Sequence, residues 1–189
     1  MCEGEKQFSY FCMDYGKGKV IYMYVTHTFE PVCDEKSRIL ILGTFPSVKS
    51  RENAFYYGHP QNRFWKVLAA LLDENIPSSI EEKKKMLLKH GIAIWDVISS
   101  CDIEGSSDSS IRNVTANDIA GLLAASRIEK IYGNGDRACR LYDKFCKEKT
   151  KKEIIRLPST SPANAAFSME KLLRSWQVVK ESDTETEKK

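Results

Sequence analysis

An α/β fold, three-layer α/β/α around a central, mostly parallel four-stranded sheet, is predicted by three observations. Short β-branched and leucine runs alternate along the chain with stretches of helical period. The runs are continuously apolar, as in strands buried on both faces. Each run ends in a short loop bearing glycine, proline or hydroxyl residues, which is how strands feed helices in such sheets.

The elements follow in order. Arg38-Ile-Leu-Ile-Leu-Gly43 is the first such strand. Phe64, Val67, Leu68, Leu71 and Leu72 then fall at helical spacing within residues 62–72. Residues 79–90 form a charged helix with Ile80, Leu87 and Leu88 as its apolar stripe, ended by His90-Gly91. Ile92-Ala-Ile-Trp-Asp-Val-Ile98 is a second buried strand. Residues 99–113, polar and serine-rich, read as a loop, and residues 115–125 as a helix capped near Thr115 or Asn117. Ile128 opens a third strand that reaches Tyr132. Gly133-Asn-Gly135 is a tight turn, and residues 136–147 are a helix. Glu153-Ile-Ile-Arg-Leu157 is the fourth strand, residues 158–166 a loop, and residues 168–180 the last helix.

Residues 27–180 are expected to make one domain, a normal size for a single core. Residues 1–26 are expected to be an extension of uncertain order, in which Val20-Ile-Tyr-Met-Tyr-Val25 is either a strand or a stretch ahead of a later start. The charged residues 181–189 are expected to be a disordered tail.

The formal net charge of +3 allows a polyanionic partner without demanding one. Cysteines at 2, 12, 33, 101, 139 and 146 show no Cys-x-x-Cys spacing, which fits reduced thiols in a cytoplasm. His27, His59 and His90 are scattered without metal-ligand spacing, so neither a metal nor a cofactor is expected. No apolar run is long enough to cross a bilayer, and the first residues lead into no secretory core. A monomer is the default.

Ligands of open parallel sheets bind beyond the carboxyl ends of the strands. Those ends carry Gly43-Thr-Phe-Pro-Ser47, Trp95-Asp96, Gly133-Asn-Gly135 and Leu157-Pro-Ser-Thr-Ser161. The densest stretch is Gly43 to Ser50 followed by Phe55-Tyr-Tyr-Gly-His-Pro-Gln-Asn-Arg-Phe-Trp65. Plainer readings exist for each residue: Asn62 as a helix cap, Phe64 and Trp65 as core, His59 as a surface side chain. Together, aromatics beside a polar amide at the ligand edge are what a flipped planar base needs.

These motifs resemble the uracil-DNA glycosylase superfamily, and most closely its hypoxanthine (deoxyinosine) DNA glycosylase branch. Gly-Thr-Phe-Pro-Ser, residues 43–47, sits where that superfamily has its first motif. His59-Pro-Gln-Asn-Arg-Phe-Trp65 is similar to the segment shared with the mismatch-specific uracil glycosylases, and Leu157-Pro-Ser-Thr-Ser-Pro-Ala-Asn164 lies where a DNA-wedging loop belongs. Ile94-Trp-Asp-Val97 and Ile111-Arg-Asn113 also resemble this branch. One departure is decisive. Where other branches place Asp or Asn to handle water, this chain has Phe45, which can do neither.

The resemblance implies a glycosylase-like fold and a base-excision repair enzyme. It would flip a deaminated base, hypoxanthine foremost, out of DNA and hydrolyse its glycosidic bond to leave an abasic site. Asn62 takes over the water, its amide oxygen orienting the nucleophile. Gly43, Thr44, Phe45, Pro46, Ser47, Tyr57 and His59 form the base pocket, with Phe45 and Tyr57 stacking on the base. Ser50, Pro158, Ser159, Thr160, Ser161 and Asn164 contact the DNA. Backbone N–H groups of the Gly43 to Ser47 turn stabilise the departing base, each worth roughly 3 kcal/mol by analogy with oxyanion holes. Lys49 is read as a solvated or phosphate-contacting side chain rather than a lyase amine. A uracil- or xanthine-preferring glycosylase and a non-catalytic damage-binding module stay open.

Overall fold

The computed structural model describes residues 10–14, 19–104 and 110–184. Four parallel strands build the main sheet: β3 (Ile39–Gly43), β4 (Ile92–Asp96), β7 (Lys130–Asn134) and β8 (Ile154–Leu157), in the order β4-β3-β7-β8. Every residue of β3 is buried, as its unbroken apolar run requires. Helices cover both faces. Helix α2 (Phe64–Leu72) and helix α7 (Met169–Thr184) pack against each other, with α3 (Ile80–Lys89) beside β4. Ile39, Ile41, Phe64, Leu68 and Trp176 meet in the core on that side. On the other face Leu40, Leu42 and Ile131 pack under α4 (Ile119–Ala124) and α5 (Asp136–Phe145), which contributes Tyr142 to that core. The short helices α1 (Val48–Glu52) and α6 (Lys147–Thr150) complete the elements between strands.

A second sheet was not visible in the chain's patterning. It is antiparallel, in the order β1-β2-β5-β6, from Tyr10–Asp14, Lys19–Thr26, Ile98–Ile103 and Arg112–Ala116. Residues 99–113, expected as a loop, therefore include most of β5 and the start of β6; residues 105–109 lie outside the described residues. The polar serine run hid the strand because only Ile98, Ser100, Cys101 and Ile103 of β5 are buried. The register shifts between Ile98, Ser100 and Asp102 blur the alternation further. β6 also takes Thr115 and Ala116 from the expected helix, which begins only at Ile119 with Asp118 as its cap.

Within the expected extension, β1 pairs with β2 and β2 pairs with β5, while residues 1–9 and 15–18 lie outside the described residues. At the other end α7 continues to Thr184, past the expected stop at residue 180. Residues 185–189 lie outside the described residues. Helices α2, α3 and α5 match their expected positions to within two residues, whereas α1 and α6 were not expected, and Ser79 and Glu82 form a reciprocal capping box at the start of α3.

Candidate active site

The carboxyl ends of β3, β4 and β7 open onto a pocket of about 140 Å³. It is lined by the turn from Gly43 to Ser47, by Tyr56, Tyr57 and Asn62, and by Asp96, Asn134, Ser159 and Ser161. Three larger depressions, near 400 Å³ each, lie beside Pro77, Asp118 and Pro31. None of them gathers the ends of the parallel strands, as the smaller pocket does.

Asp96 stands on its floor. It ends β4 directly opposite Gly43 of β3 and is 5% exposed. A Cβ on Gly43 would overlap Asp96 Oδ1, so the close approach of carboxylate to backbone requires glycine there. Asp96 Oδ2 accepts from His27 Nε2 at 3.0 Å. His27 is itself buried among Phe29, Tyr56 and Phe45. Asn117 fixes the strand end by donating to the Asp96 and Ile98 carbonyls. The Tyr57 hydroxyl arrives at the same floor, 3.3 Å from where a Gly43 Cβ would sit. It is buried and donates to nothing among the described residues. Burial first, and then the Asp96 carboxylate, push its pKa far above the usual tyrosine value, so it stays a proton donor. The Asn134 amide opposes that shift, yet it makes no hydrogen bond of good geometry to the hydroxyl. Tyr57 holds φ 51°, a left-handed backbone that disfavours a bulky side chain.

The wall is a directional chain of hydrogen bonds. Asn134 Nδ2 donates to Thr160 Oγ1 at 2.9 Å, and the Thr160 hydroxyl donates to Asn62 Oδ1 at 2.9 Å. The Thr160 backbone N–H returns a bond to Asn134 Oδ1. Asn62 Oδ1 also accepts from the Phe64 backbone N–H at 3.0 Å, at the start of α2. Both lone pairs of that oxygen are therefore taken, and the amide nitrogen is the free end of Asn62. The expected use of its oxygen to orient water is corrected accordingly: a peptide N–H can only donate, which fixes the amide's orientation.

Arg63 holds the loop after β8. Its Nε donates to the Thr160 carbonyl, its Nη2 to the Ser161 and Asn164 carbonyls, and its Nη1 to that of Phe167. The planar fork suits several carbonyls at once. Gly135, at φ 102°, completes the junction, its N–H donating to the Leu157 carbonyl.

The structure brings Gly43, Thr44, Phe45, Pro46, Ser47, Ser50, Tyr57, Asn62, Ser159 and Ser161 together around the pocket. It does not bring His59 there. That ring accepts from the Gln61 N–H and caps its own turn. Thr160 is wholly buried in the wall, which removes it from direct DNA contact. Asn164 donates to the Ser159 carbonyl within the loop, and the Pro158 carbonyl accepts from Trp176 Nε1. Ser50 is 3% exposed, accepts from the Gly58 N–H and is bonded to Ser47. Tyr57 is stacked on Phe64 at 3.9 Å, leaving one ring face, and Arg51 lies over Phe45. Lys49 is exposed and paired with Glu52, away from the pocket lining. His27, Arg63, Asp96 and Asn134 were not singled out from the sequence. Asp96 and Asn134 had been placed at the ligand edge as strand ends and Arg63 lay within the quoted motif, but none had been given a role.

Fold and pocket define an α/β protein with a polar pocket at the ends of its parallel strands, edged by a loop that Arg63 staples. The chain belongs to the uracil DNA glycosylase superfamily, whose family model matches residues 30–180. It is 38% identical over 142 residues to a protein named hypoxanthine DNA glycosylase from Methanosarcina acetivorans, covering 74% of this chain and 89% of that one. A protein of the same name from Methanosarcina barkeri is 33% identical over 112 residues, covering 58% and 71%. A solution NMR structure from Methanosarcina acetivorans, described as a candidate uracil DNA glycosylase, superposes with a TM-score of 0.71 at 35% identity, covering 82% of this chain and 96% of that one.

Proposed function

We propose that this protein is a monofunctional DNA glycosylase of base-excision repair that removes hypoxanthine from deoxyinosine in DNA. The observation that carries the reading is the strand-end pocket, in which Asn62 is locked by Thr160 and Asn134 beneath a loop stapled by Arg63. The names of the two methanogen relatives support the substrate.

Hydrolysis passes through an oxocarbenium-like sugar. Water oxygen bonds to C1′ as the C1′–N9 bond breaks. One water proton stays on the new C1′ hydroxyl and the other ends on the base. The Asn62 amide nitrogen donates to one lone pair of that water and leaves the second free to attack, which is positioning rather than base catalysis. N–H groups of the turn from Gly43 to Ser47 face the charge growing on the base. Phe45 flanks the ring, while Tyr57, stacked on Phe64, brings its hydroxyl to the floor. Ser159, Ser161 and the surrounding loop press on the DNA, where extrusion is cheapest at a poorly paired deoxyinosine. The nucleophile is water, so no metal or cofactor is required. Among the described residues no helix is long and apolar enough to cross a membrane. The working form in this reading is a cytoplasmic monomer.

The test is base release from oligonucleotides carrying one deoxyinosine, uracil or xanthine, followed by alkali, for the native protein and Asn62→Ala. Native cleavage at deoxyinosine is expected, with a loss of about 10²–10³-fold in Asn62→Ala and DNA binding largely kept. Cleavage confined to uracil or xanthine overturns the substrate. Binding without any cleavage leaves a damage-recognition module. Full activity in Asn62→Ala removes that residue from the mechanism.

A further inference from the structure

Two polar atoms on the pocket floor are left over by the mechanism above. Asp96 Oδ1 has no hydrogen-bond donor among the described residues, its sister oxygen being taken by His27. The Tyr57 hydroxyl is buried with no hydrogen-bond partner among the described residues. Both converge over Gly43, where no side chain could fit. Leaving the buried phenol unpaired is unfavourable by about 1–3 kcal/mol, so it is arranged, beside the open carboxylate oxygen, for something that arrives.

A nucleotide that enters a pocket from the DNA side keeps its sugar at the mouth, and the base edge farthest from the sugar reaches the floor. For a purine that edge is N1 and C6. Deamination inverts both positions. Adenine offers an acceptor at N1 and an amino donor at C6, whereas hypoxanthine offers N1–H as donor and C6=O as acceptor. An ionised carboxylate can only accept, and a phenol that stays protonated can donate.

We infer that Asp96 Oδ1 and the Tyr57 hydroxyl form an acceptor–donor pair that reads the N1–H and C6=O of the deaminated base. The inference rests on the glycosylase reading for its ligand and adds the means of discrimination. Adenine at this floor sets its N1 acceptor against the carboxylate, one buried mismatch in place of a bond, while the phenol, which can also accept, tolerates the 6-amino group. Sites that hydrogen-bond a substrate group reject the analogue lacking it far more strongly than apolar pockets do. Guanine presents the same edge as hypoxanthine, so its exclusion falls to the cost of flipping it from a stable pair. His27 holds the carboxylate in place, and the stack on Phe64 holds the phenol.

The test separates recognition from cleavage. Duplexes carry one 2′-fluoroarabino nucleotide, which resists hydrolysis, with hypoxanthine, adenine or unsubstituted purine as the base. Purine is smaller than hypoxanthine, so steric exclusion cannot mimic the result. Dissociation constants are measured by fluorescence anisotropy for the native protein, Asp96→Asn and Tyr57→Phe, each checked for folding by its thermal midpoint. The native protein is expected to prefer hypoxanthine over both other bases by at least tenfold. Asp96→Asn, whose amide can turn a donor toward N1, loses most of the preference over adenine. Tyr57→Phe weakens hypoxanthine and leaves purine unchanged. Equal native binding of the three bases overturns the inference, even if a variant fails to fold. So does full discrimination in a folded Asp96→Asn. Base-selective binding without cleavage of deoxyinosine would sink the glycosylase reading and keep the floor pair; cleavage without selectivity would do the reverse.

Discussion

Asp96 Oδ1 occupies the space above the Gly43 backbone, so two neighbouring strands end as a matched glycine and carboxylate. Gly43→Ala forces that carboxylate off His27 or bends β3. We expect a destabilisation of about 1–3 kcal/mol, typical of overpacking, and at least a tenfold loss of deoxyinosine cleavage. Asp96→Ala in the same chain should restore much of the thermal midpoint, because it removes the overlap, without restoring activity. Stability losses that simply add in the double variant would show that the two sites are not coupled.

Thr160→Val keeps the shape of a buried side chain while deleting the hydroxyl between Asn134 and Asn62. The Asn134 amide then loses its acceptor, at a cost of about 1–3 kcal/mol. Asn62 Oδ1 keeps only the Phe64 N–H, and its amide is freer to turn. Cleavage should fall about tenfold with little change in DNA affinity, as measured by single-turnover kinetics beside a binding titration. Unchanged cleavage would show that Phe64 alone orients Asn62.

Arg63→Lys retains the charge and removes the fork. One ammonium cannot reach the carbonyls of Thr160, Ser161, Asn164 and Phe167 together. A loss of about 2 kcal/mol is expected from broken charge-assisted bonds. Amide exchange should quicken in the loop after β8 while the core strands stay protected. Exchange spread evenly over the whole chain would contradict a local staple.

Stability should decline at alkaline pH. Burial pushes the Cys146 thiol up to about 11, against an ordinary value of 9.0, with Lys149 opposing. The folded state keeps its proton where the unfolded chain has released it. Its contribution is complete below pH 9 and disappears as the pH climbs toward 11. Tyr56 and Tyr57, raised first by burial and then by Asp96, act in the same direction from pH 10 upward. Thermal midpoints between pH 8 and 11 check this, and a flat profile would refute it.

The parallel sheet was legible in the chain because a strand buried on both faces must be apolar at every position, and Ile39–Gly43 and Ile92–Asp96 are nearly so. The same rule placed Gly43 to Ser47, Tyr57, Asn62 and Ser159 at one edge, since topology sends all parallel strand ends the same way. The antiparallel sheet was not legible. Its serine-bearing strand β5, largely buried but broken in register, is stabilised by partners on β2 and β6 rather than by its own pattern.

What the sequence by itself determined, then, is the ring of loops around the pocket, through periodicity and chain order. Tertiary structure alone decided what each side chain does there. Hydrogen bonding is directional and short in range, and its partners are far apart in the chain: Thr160 lies 98 residues from Asn62, and Asp96 lies 69 from His27. Their meeting added the Thr160 bond to an Asn62 oxygen already held by the Phe64 N–H, hid Thr160 in the wall, and left the Tyr57 hydroxyl beside a carboxylate on the floor.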